Sequence, residues 1–134
     1  MRKLSYIAML LMASTAYAQE DGWYDVTASK DGNDTYSIKL GSGERSQNKQ
    51  GEPMTVVVGK TADKKLGTIE IRKWYVTDAD CAQEYGNLIV LAVDGTFNMD
   101  APFAKGSKNI ASSISETICD LTAKEQQKAA GKGI

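Results

Sequence analysis

The sequence predicts a small α+β domain, in which an antiparallel sheet of about six strands carries one C-terminal helix on a face. Three observations support this fold class. Short runs of β-branched and aromatic residues recur between turn residues, as they do in antiparallel sheets. One late stretch repeats isoleucine at helical spacing. The only two cysteines, Cys81 and Cys119, lie in the second half of the chain, where one disulfide would tie the helix to the sheet.

Residues 1–18 have the pattern of a cleavable secretory signal. Arg2 and Lys3 precede an apolar stretch at 4–13, and small residues at 16 and 18 form the pattern that signal peptidase accepts. The apolar stretch is about half of the roughly 20 residues that a membrane-spanning helix needs. We therefore predict a periplasmic or secreted protein with a single domain at 19–134 and no transmembrane segment after cleavage.

Charge and composition argue against several partner and cofactor classes. Without the two basic signal residues the chain has 14 basic and 17 acidic residues, a net charge of −3. That balance lacks the basic excess that holds a phosphate backbone, so nucleic acid is not the expected partner. The chain contains no histidine, which excludes a Ser-His-Asp triad and makes a metal site poor in ligands. We predict no cofactor.

The first half of the domain predicts a hairpin and a loop. Strands at 23–29 and 35–40 flank an Asp31-Gly32 turn, the strongest local hairpin signal. Residues 41–53 contain no apolar side chain except Pro53, so they cannot enter a core and are predicted to be a solvated loop. We interpret it as a connector, with a binding loop as the alternative.

The next four predicted strands differ in pattern. They lie at 54–59, 66–76, 87–93 and 96–100. In the second of them Ile69 and Ile71 share one face, and Lys73 breaks the alternation, which suggests a bulge or a strand that runs out past the core. The strand at 87–93 is apolar at both parities, as expected of a strand covered on both faces or in the middle of the sheet. In the last strand Phe97 and Met99 are expected to point inward, before Pro102 ends it.

A helix is predicted over 107–121, with Ser107 as its N-cap. Ile110, Ile114, Ile118 and Leu121 fall on one stripe that must pack on the sheet. The residues expected to face outward are Ser112, Ser113 and Glu116. From about 122 to 134 the chain offers no apolar stripe, so we expect a frayed tail, with a continuation of the helix over 122–130 as the alternative.

The two cysteines are expected to pair. Two cysteines in an exported chain usually bond to each other; two free thiols or a metal pair are the alternatives. Thr77 or Asp78 is placed to cap a short helical turn that carries Cys81 and ends at Gly86. Because Cys119 lies about 140° from the centre of the isoleucine stripe at 100° per residue, the 77–86 segment should lie beside the helix, at the sheet margin.

Three carboxylates near Cys81 raise the question of catalysis. Asp78, Asp80 and Glu84 are close in sequence, and a pair of carboxylates is enough for glycosidase chemistry. The signal for catalysis is weak, because aspartate is common in turns and helix caps. We therefore predict that the protein is not an enzyme and keep a carboxylate hydrolase as an alternative.

Adjacent aromatic residues indicate a candidate partner-binding surface. Trp74 and Tyr75 are neighbours on a predicted strand, so they point to opposite sides of the sheet. One of them must therefore leave the helix-covered face. Arg72 and Glu70 lie close by in the same strand. The candidate binding residues are Trp74, Tyr75, Arg72 and Glu70.

The order of landmarks resembles that of small exported domains of the surface-adhesin protein E type. The matching features run from the first predicted strand to the helix: Trp23, Asp31-Gly32, Tyr36, Asp80-Cys81 and Ile118-Cys119. The resemblance implies an antiparallel sheet with a packed helix, a late cysteine that closes a bridge, and a protein-binding role. Residues 41–53 and the polar C-terminal extension have no counterpart in that pattern.

These observations together predict a non-enzymatic exported module that binds a protein. One form is a periplasmic inhibitor or immunity-type protein, which would use a protruding loop such as 41–53. The other form is a surface adhesin that engages host or matrix proteins, which would expose a sheet face or a basic groove.

Overall fold

A computed structural model gives the structure of residues 22–132, with side chains up to residue 129. The predicted signal segment, 1–18, lies outside these residues. The described chain forms β1 (Trp23–Ala28), β2 (Asp34–Lys39), β3 (Glu44–Gln47), β4 (Pro53–Asp63), β5 (Thr68–Thr77), α1 (Asp78–Gln83), β6 (Tyr85–Leu91), β7 (Phe97–Ala104) and α2 (Ile110–Lys132).

The predicted antiparallel sheet with a helix on one face is confirmed. The strands follow the order β1-β2-β4-β5-β6-β7, and every neighbouring pair is antiparallel. β3 is the seventh strand, one more than expected, and it lies in line with β2 along the same edge of β4. Between them the Ser42 hydroxyl accepts a hydrogen bond from the Val58 N–H at 3.0 Å, which replaces a missing partner in the ladder.

The core lies between α2 and one face of the sheet. The isoleucine stripe predicted for the helix supplies the helix side of this core, since Ile114 and Ile118 are buried. From the sheet below come mainly Val57, Trp74, Val76, Leu88 and Phe103.

The start of α2 differs from the prediction. The helix begins at Ile110, and its cap is Asn109, whose Oδ1 accepts a hydrogen bond from the Ser112 N–H at 2.7 Å. Ser107 therefore does not cap it. Ser112 was expected to face outward but is buried. Its hydroxyl is satisfied there, since it accepts a hydrogen bond from the Ala104 N–H at 3.1 Å.

The end of α2 also differs. The frayed tail expected from 122 is not found, and the alternative holds: the helix continues up to Lys132. Thr122 is buried, and its hydroxyl donates to that of Thr55 in β4 at 2.7 Å. Four residues on, the Gln126 amide reaches Asp78 in α1 at 3.3 Å. Polar contacts hold this part of the helix against β4 and α1. A prediction based on apolar spacing could therefore not detect that the helix continues.

The segment 41–53 is solvated as predicted, but it is not all loop. Arg45 and its neighbours in β3 pair with the first residues of β4, from Val56 back to Pro53. All four side chains of β3 are exposed. Backbone pairing needs no apolar side chains, so composition alone did not reveal this strand.

One other strand prediction was wrong in detail. β5 pairs with β4 without a register shift, so there is no bulge at Lys73 between them. Ile69 and Ile71 lie on the face away from the helix, and Ile69 is 63% exposed. The even-numbered residues of this strand lie on the helix side, and of these Trp74 and Val76 are buried.

The last strand also differs from expectation. β7 continues through Pro102 to Ala104, which is possible because an edge strand tolerates a residue without an N–H. Phe97 does not point inward: it lies on the face away from the helix and is 65% exposed. Met99 is on the helix side, yet half of its side chain is exposed.

The predicted disulfide is formed between Cys81 in α1 and Cys119 in α2. Thr77 caps α1 as expected, since its hydroxyl accepts a hydrogen bond from the Asp80 N–H. The helix ends at a left-handed Glu84, two residues before the predicted Gly86. α1 lies beside α2, as the flank position of Cys119 required. In the described part of the chain, no helix has both the length and the hydropathy needed to cross a bilayer.

Candidate functional site

The four candidate binding residues do not share one surface. Trp74, Arg72 and Glu70 lie on the helix side of β5, and Tyr75 lies on the opposite side, as strand alternation requires. Trp74 is only 3% exposed and belongs to the core. The tryptophan of the pair therefore stays under the helix, and the tyrosine is the residue that leaves it.

The helix side of the sheet is not fully covered. Because α2 begins only at Ile110, the sheet beyond its first turn is left open. A depression lies there, here called the open groove, with a volume of about 360 Å³. Its lining is mainly apolar and includes Trp74, Leu88, Val90, Met99, Ala101, Ile110, Ala111 and Ile114.

Polar side chains form one wall of the open groove. Arg72 Nη1 donates to the Ile71 carbonyl at 3.0 Å, and Nη2 lies 3.6 Å from a carboxylate oxygen of Glu70. Tyr36 lines the same wall. Burial raises the pKa of the Tyr36 phenol, and the charges of Asp34 and Glu70 add to this effect. The phenol is therefore protonated at neutral pH and presents a neutral O–H.

The opposite side of the sheet, here called the outer face, carries a continuous set of apolar side chains. None of them belongs to the core cluster under the helix. Tyr75 stands near the middle, with Val56 opposite on β4 and Ile89 opposite on β6. The apolar members that are half-buried or exposed are Val56, Val58, Ile69, Ile71, Tyr75, Ile89, Leu91 and Phe97; Met54 lies on the same side of β4 but is buried.

Two lysines stand within this apolar face. Lys73 is paired with Val58 and Lys60 with Ile71, so both ammonium groups rise from central strands. The Lys60 Nζ lies 4.7 Å from the centre of the Trp23 ring, a cation–π contact. Among the described residues, neither lysine has a carboxylate within 4.0 Å. The outer face therefore combines apolar surface with unpaired positive charge.

Both edges of the sheet are poorly suited to pairing with another strand. The β1–β2 ladder shifts register between Asp25 and Thr27, and the β6–β7 ladder shifts between Val90 and Leu91. On β7, Pro102 has no N–H, and the Ala104 N–H is already bound to Ser112. Bulges and proline are the devices that protect edge strands from further pairing. A partner is therefore more readily accommodated on a face than on an edge.

The three carboxylates near Cys81 point to different contacts. Asp78 binds Arg45, with both oxygens accepting from the guanidinium at 2.7 and 2.6 Å. Asp80 accepts from the Asn87 N–H at 3.1 Å, which fixes the start of β6. Glu84 pairs with Lys105 at 2.8 Å. Each carboxylate thus has a structural partner, and Asp80 does not line the depression that Asp78 and Glu84 border beside the disulfide.

Residues that sequence reasoning missed are those of the outer face and of the groove floor. A signal for the outer face was present, since β6 is apolar at both parities and β4 contains three consecutive valines. That pattern was interpreted as a strand covered on both faces or one in the middle of the sheet; β6 does lie between β5 and β7, but no helix covers its second face. Nothing in the sequence indicated the groove, because its shape depends on where α2 begins.

Within residues 22–132 there is no group of three or more side chains suited to hold a metal ion. No protein-family model, curated protein or solved structure matches this chain.

Proposed function

We propose that this protein is an exported, non-enzymatic module that binds a protein partner through its outer face. The observation that carries the proposal is the uncovered apolar surface around Tyr75, which contains the unpaired Lys60 and Lys73. Contiguous apolar patches are uncommon on proteins that act alone and mark interaction sites. Tyrosine at the centre of such a patch is typical of interfaces.

The lysines define the chemistry of the partner. Burying an ammonium group without a partner is costly, so the complementary surface must present carboxylates opposite Lys60 and Lys73. The rest of that surface must be apolar to fit the aliphatic and aromatic side chains around them. The proposed partner is therefore a protein with an acidic patch set among apolar residues.

Export is supported by two features. The cysteines form a disulfide, which persists in oxidising compartments, and residues 1–18 have a signal-peptide pattern. Of the two predicted forms, an exposed sheet face suits a surface-binding module such as an adhesin. An inhibitor with a protruding 41–53 loop receives less support, because β3 pairs this segment to the sheet.

The test is affinity capture with point variants. The immobilised protein is exposed to extracts of the cell envelope and of the medium, and captured proteins are identified by mass spectrometry. Tyr75→Ser and Lys73→Glu should each weaken binding of the captured partner at least tenfold, as changes at interface centres do. Leu66→Ser is the matched control, because Leu66 is 74% exposed and lies in the β4–β5 turn.

Two results would contradict the proposal. One is a partner that binds the Tyr75 and Lys73 variants as tightly as the unaltered protein. The other is a partner lost equally with Leu66→Ser. Added salt gives a further readout, since screening of the lysine charges should lower the association rate.

A further inference from the structure

We propose that the open groove is a separate ligand site, which binds a carboxylate carried on a short apolar chain. The groove lies on the opposite side of the sheet from the outer face. The inference therefore does not depend on the proposed protein-binding function, and either can fail alone.

The apolar half of the ligand is defined by the groove floor. Met99 belongs to the helix side of β7, yet it is half exposed because α2 begins too late to cover it. Its neighbours in the groove are Trp74, Val90 and Ile110. A volume of about 360 Å³ lies within the range of small-molecule pockets. Trp74 and Val90 are already buried, so an alkyl or leucine-like group would mainly cover Met99 and Ile110.

The charged half of the ligand is defined by Arg72. Its guanidinium has five N–H donors, and one of them is used, by the Ile71 carbonyl. The 3.6 Å separation from Glu70 is longer than a hydrogen bond. A ligand carboxylate can accept two parallel N–H bonds from a guanidinium, the strongest arrangement available to this group.

The neighbours of Arg72 fit the same assignment. Glu70 is 62% exposed at its side chain, so it can turn to solvent when a ligand carboxylate approaches Arg72. It would still repel that carboxylate, which favours a single negative charge over a phosphate dianion. The protonated Tyr36 phenol supplies a neutral donor on the same wall.

Two sources present this chemistry: a free fatty acid of short chain, and the C-terminal residue of a peptide that ends in an apolar side chain. The first probes are n-octanoate, 1-octanol and n-octylammonium, which share a chain and differ in the charge of the head. Binding is followed by NMR on the isotope-labelled protein. The indole resonance of Trp74 reports on the groove, and that of Trp23, on the outer face, is an internal control.

We expect octanoate to shift the Trp74 indole resonance and leave Trp23 unchanged. A partly exposed ion pair contributes up to about fivefold in affinity, so octanoate should bind about three- to fivefold more tightly than octanol, and octylammonium more weakly than either. Arg72→Gln should abolish the preference for octanoate over octanol. Glu70→Gln should increase it, because the competing carboxylate is removed. Lys73→Gln is the matched control, since it removes the same charge from the opposite face and should change nothing.

Equal affinity for octanoate and octanol would overturn the proposal, as would a shift of Trp23 in place of Trp74. If Arg72→Gln does not fold, Glu70→Gln remains as the test. A stronger preference for octanoate over octanol in this variant supports the proposal, and an unchanged preference overturns it, because a purely structural role of Glu70 would not alter ligand preference. The source is then distinguished with N-acetyl-leucine. Tighter binding of N-acetyl-leucine than of octanoate indicates a peptide C-terminus, and the reverse order indicates a fatty acid.

Discussion

The indole ring of Trp74 lies directly over the backbone of Gly59 on the neighbouring strand. The two residues are close in the β4–β5 ladder, and a Cβ added to Gly59 would overlap three atoms of the ring. The missing side chain of Gly59 is what allows the tryptophan to lie flat under the helix. This contact sets the floor of the open groove as well as the centre of the core.

Gly59→Ala should therefore destabilise the protein. Overpacking of this kind costs about 1–3 kcal/mol, which urea unfolding will measure, and the Trp74 fluorescence of the folded state should change as the ring is displaced. The control is Gly43→Ala, whose added Cβ would lie at an ordinary 3.6 Å from Leu121. If both variants have the same free energy of unfolding, the close packing of Trp74 on Gly59 is refuted.

Ser115→Ala should stabilise the protein. The Ser115 hydroxyl is fully buried in α2 and has no hydrogen-bond partner among the described residues. Leaving a buried hydroxyl unpaired costs about 1 kcal/mol or more, and alanine is also the better helix former. We expect a gain of about 1 kcal/mol in the free energy of unfolding.

The matched comparison for this change is Ser112→Ala, three residues earlier in the same helix. Ser112 is equally buried, but its hydroxyl accepts the Ala104 N–H, so its removal leaves a backbone donor unpaired. Thermal unfolding should show opposite signs for the two variants. The same sign for both would mean that hydrogen bonding is not what separates them.

The Arg45–Asp78 pair should make stability depend on pH below about pH 4. The hydrogen bonds from Arg45 hold the pKa of Asp78 below its usual value. The carboxylate therefore contributes stability above the pKa of the unfolded chain, about 3.9, and this contribution is lost as the pH falls through the lower folded pKa. Asp78→Asn should cost about 1 kcal/mol at pH 7, as expected for a partly exposed pair.

The measurement is the free energy of unfolding of the unaltered protein minus that of Asp78→Asn, from pH 7 to pH 2.5. This difference should be constant above about pH 5 and shrink below about pH 4. In an Arg45→Gln background, Asp78→Asn should have a much smaller effect, since the pair is already broken. A difference that persists unchanged at pH 2.5 would contradict the role of the carboxylate charge.

Reduction of the disulfide should loosen α2 before it loosens the sheet. The bridge joins α2 to α1 at the sheet margin and lies outside the main core cluster. Its loss should lower the free energy of unfolding by at most about 4 kcal/mol in the chain-entropy model. Hydrogen exchange should accelerate in the second half of α2 while β4 stays protected.

Two checks accompany this prediction. Thiol labelling under denaturing, non-reducing conditions should find no reactive cysteine, and a Cys81→Ser, Cys119→Ser double variant should reproduce the reduced protein. Exchange that accelerates equally in β4 and α2 would show that the bridge holds the whole core.

Some features of the site were predictable from local pattern and others were not. Tyr75 and Trp74 had to face opposite sides, because alternation is a property of any strand. Which of them faced the helix depended on Gly59, a residue on another strand. Apolar residues at both odd and even positions of β6 showed that both of its faces are apolar. Only the assembled sheet shows that the helix does not cover Ile89 and Leu91.

The sequence by itself determined the types of the main elements, the isoleucine stripe of α2 and the pairing of Cys81 with Cys119. The elements and the stripe follow from periodicity and turn residues, which are local signals that span a few residues. The pairing follows from the number of cysteines, which requires no knowledge of geometry. The tertiary structure alone decided β3, the polar anchoring of Thr122 and the two candidate surfaces. One helix can cover only one face of a seven-stranded sheet, and only from Ile110 onward. The outer face and the open groove are the apolar areas that α2 does not reach.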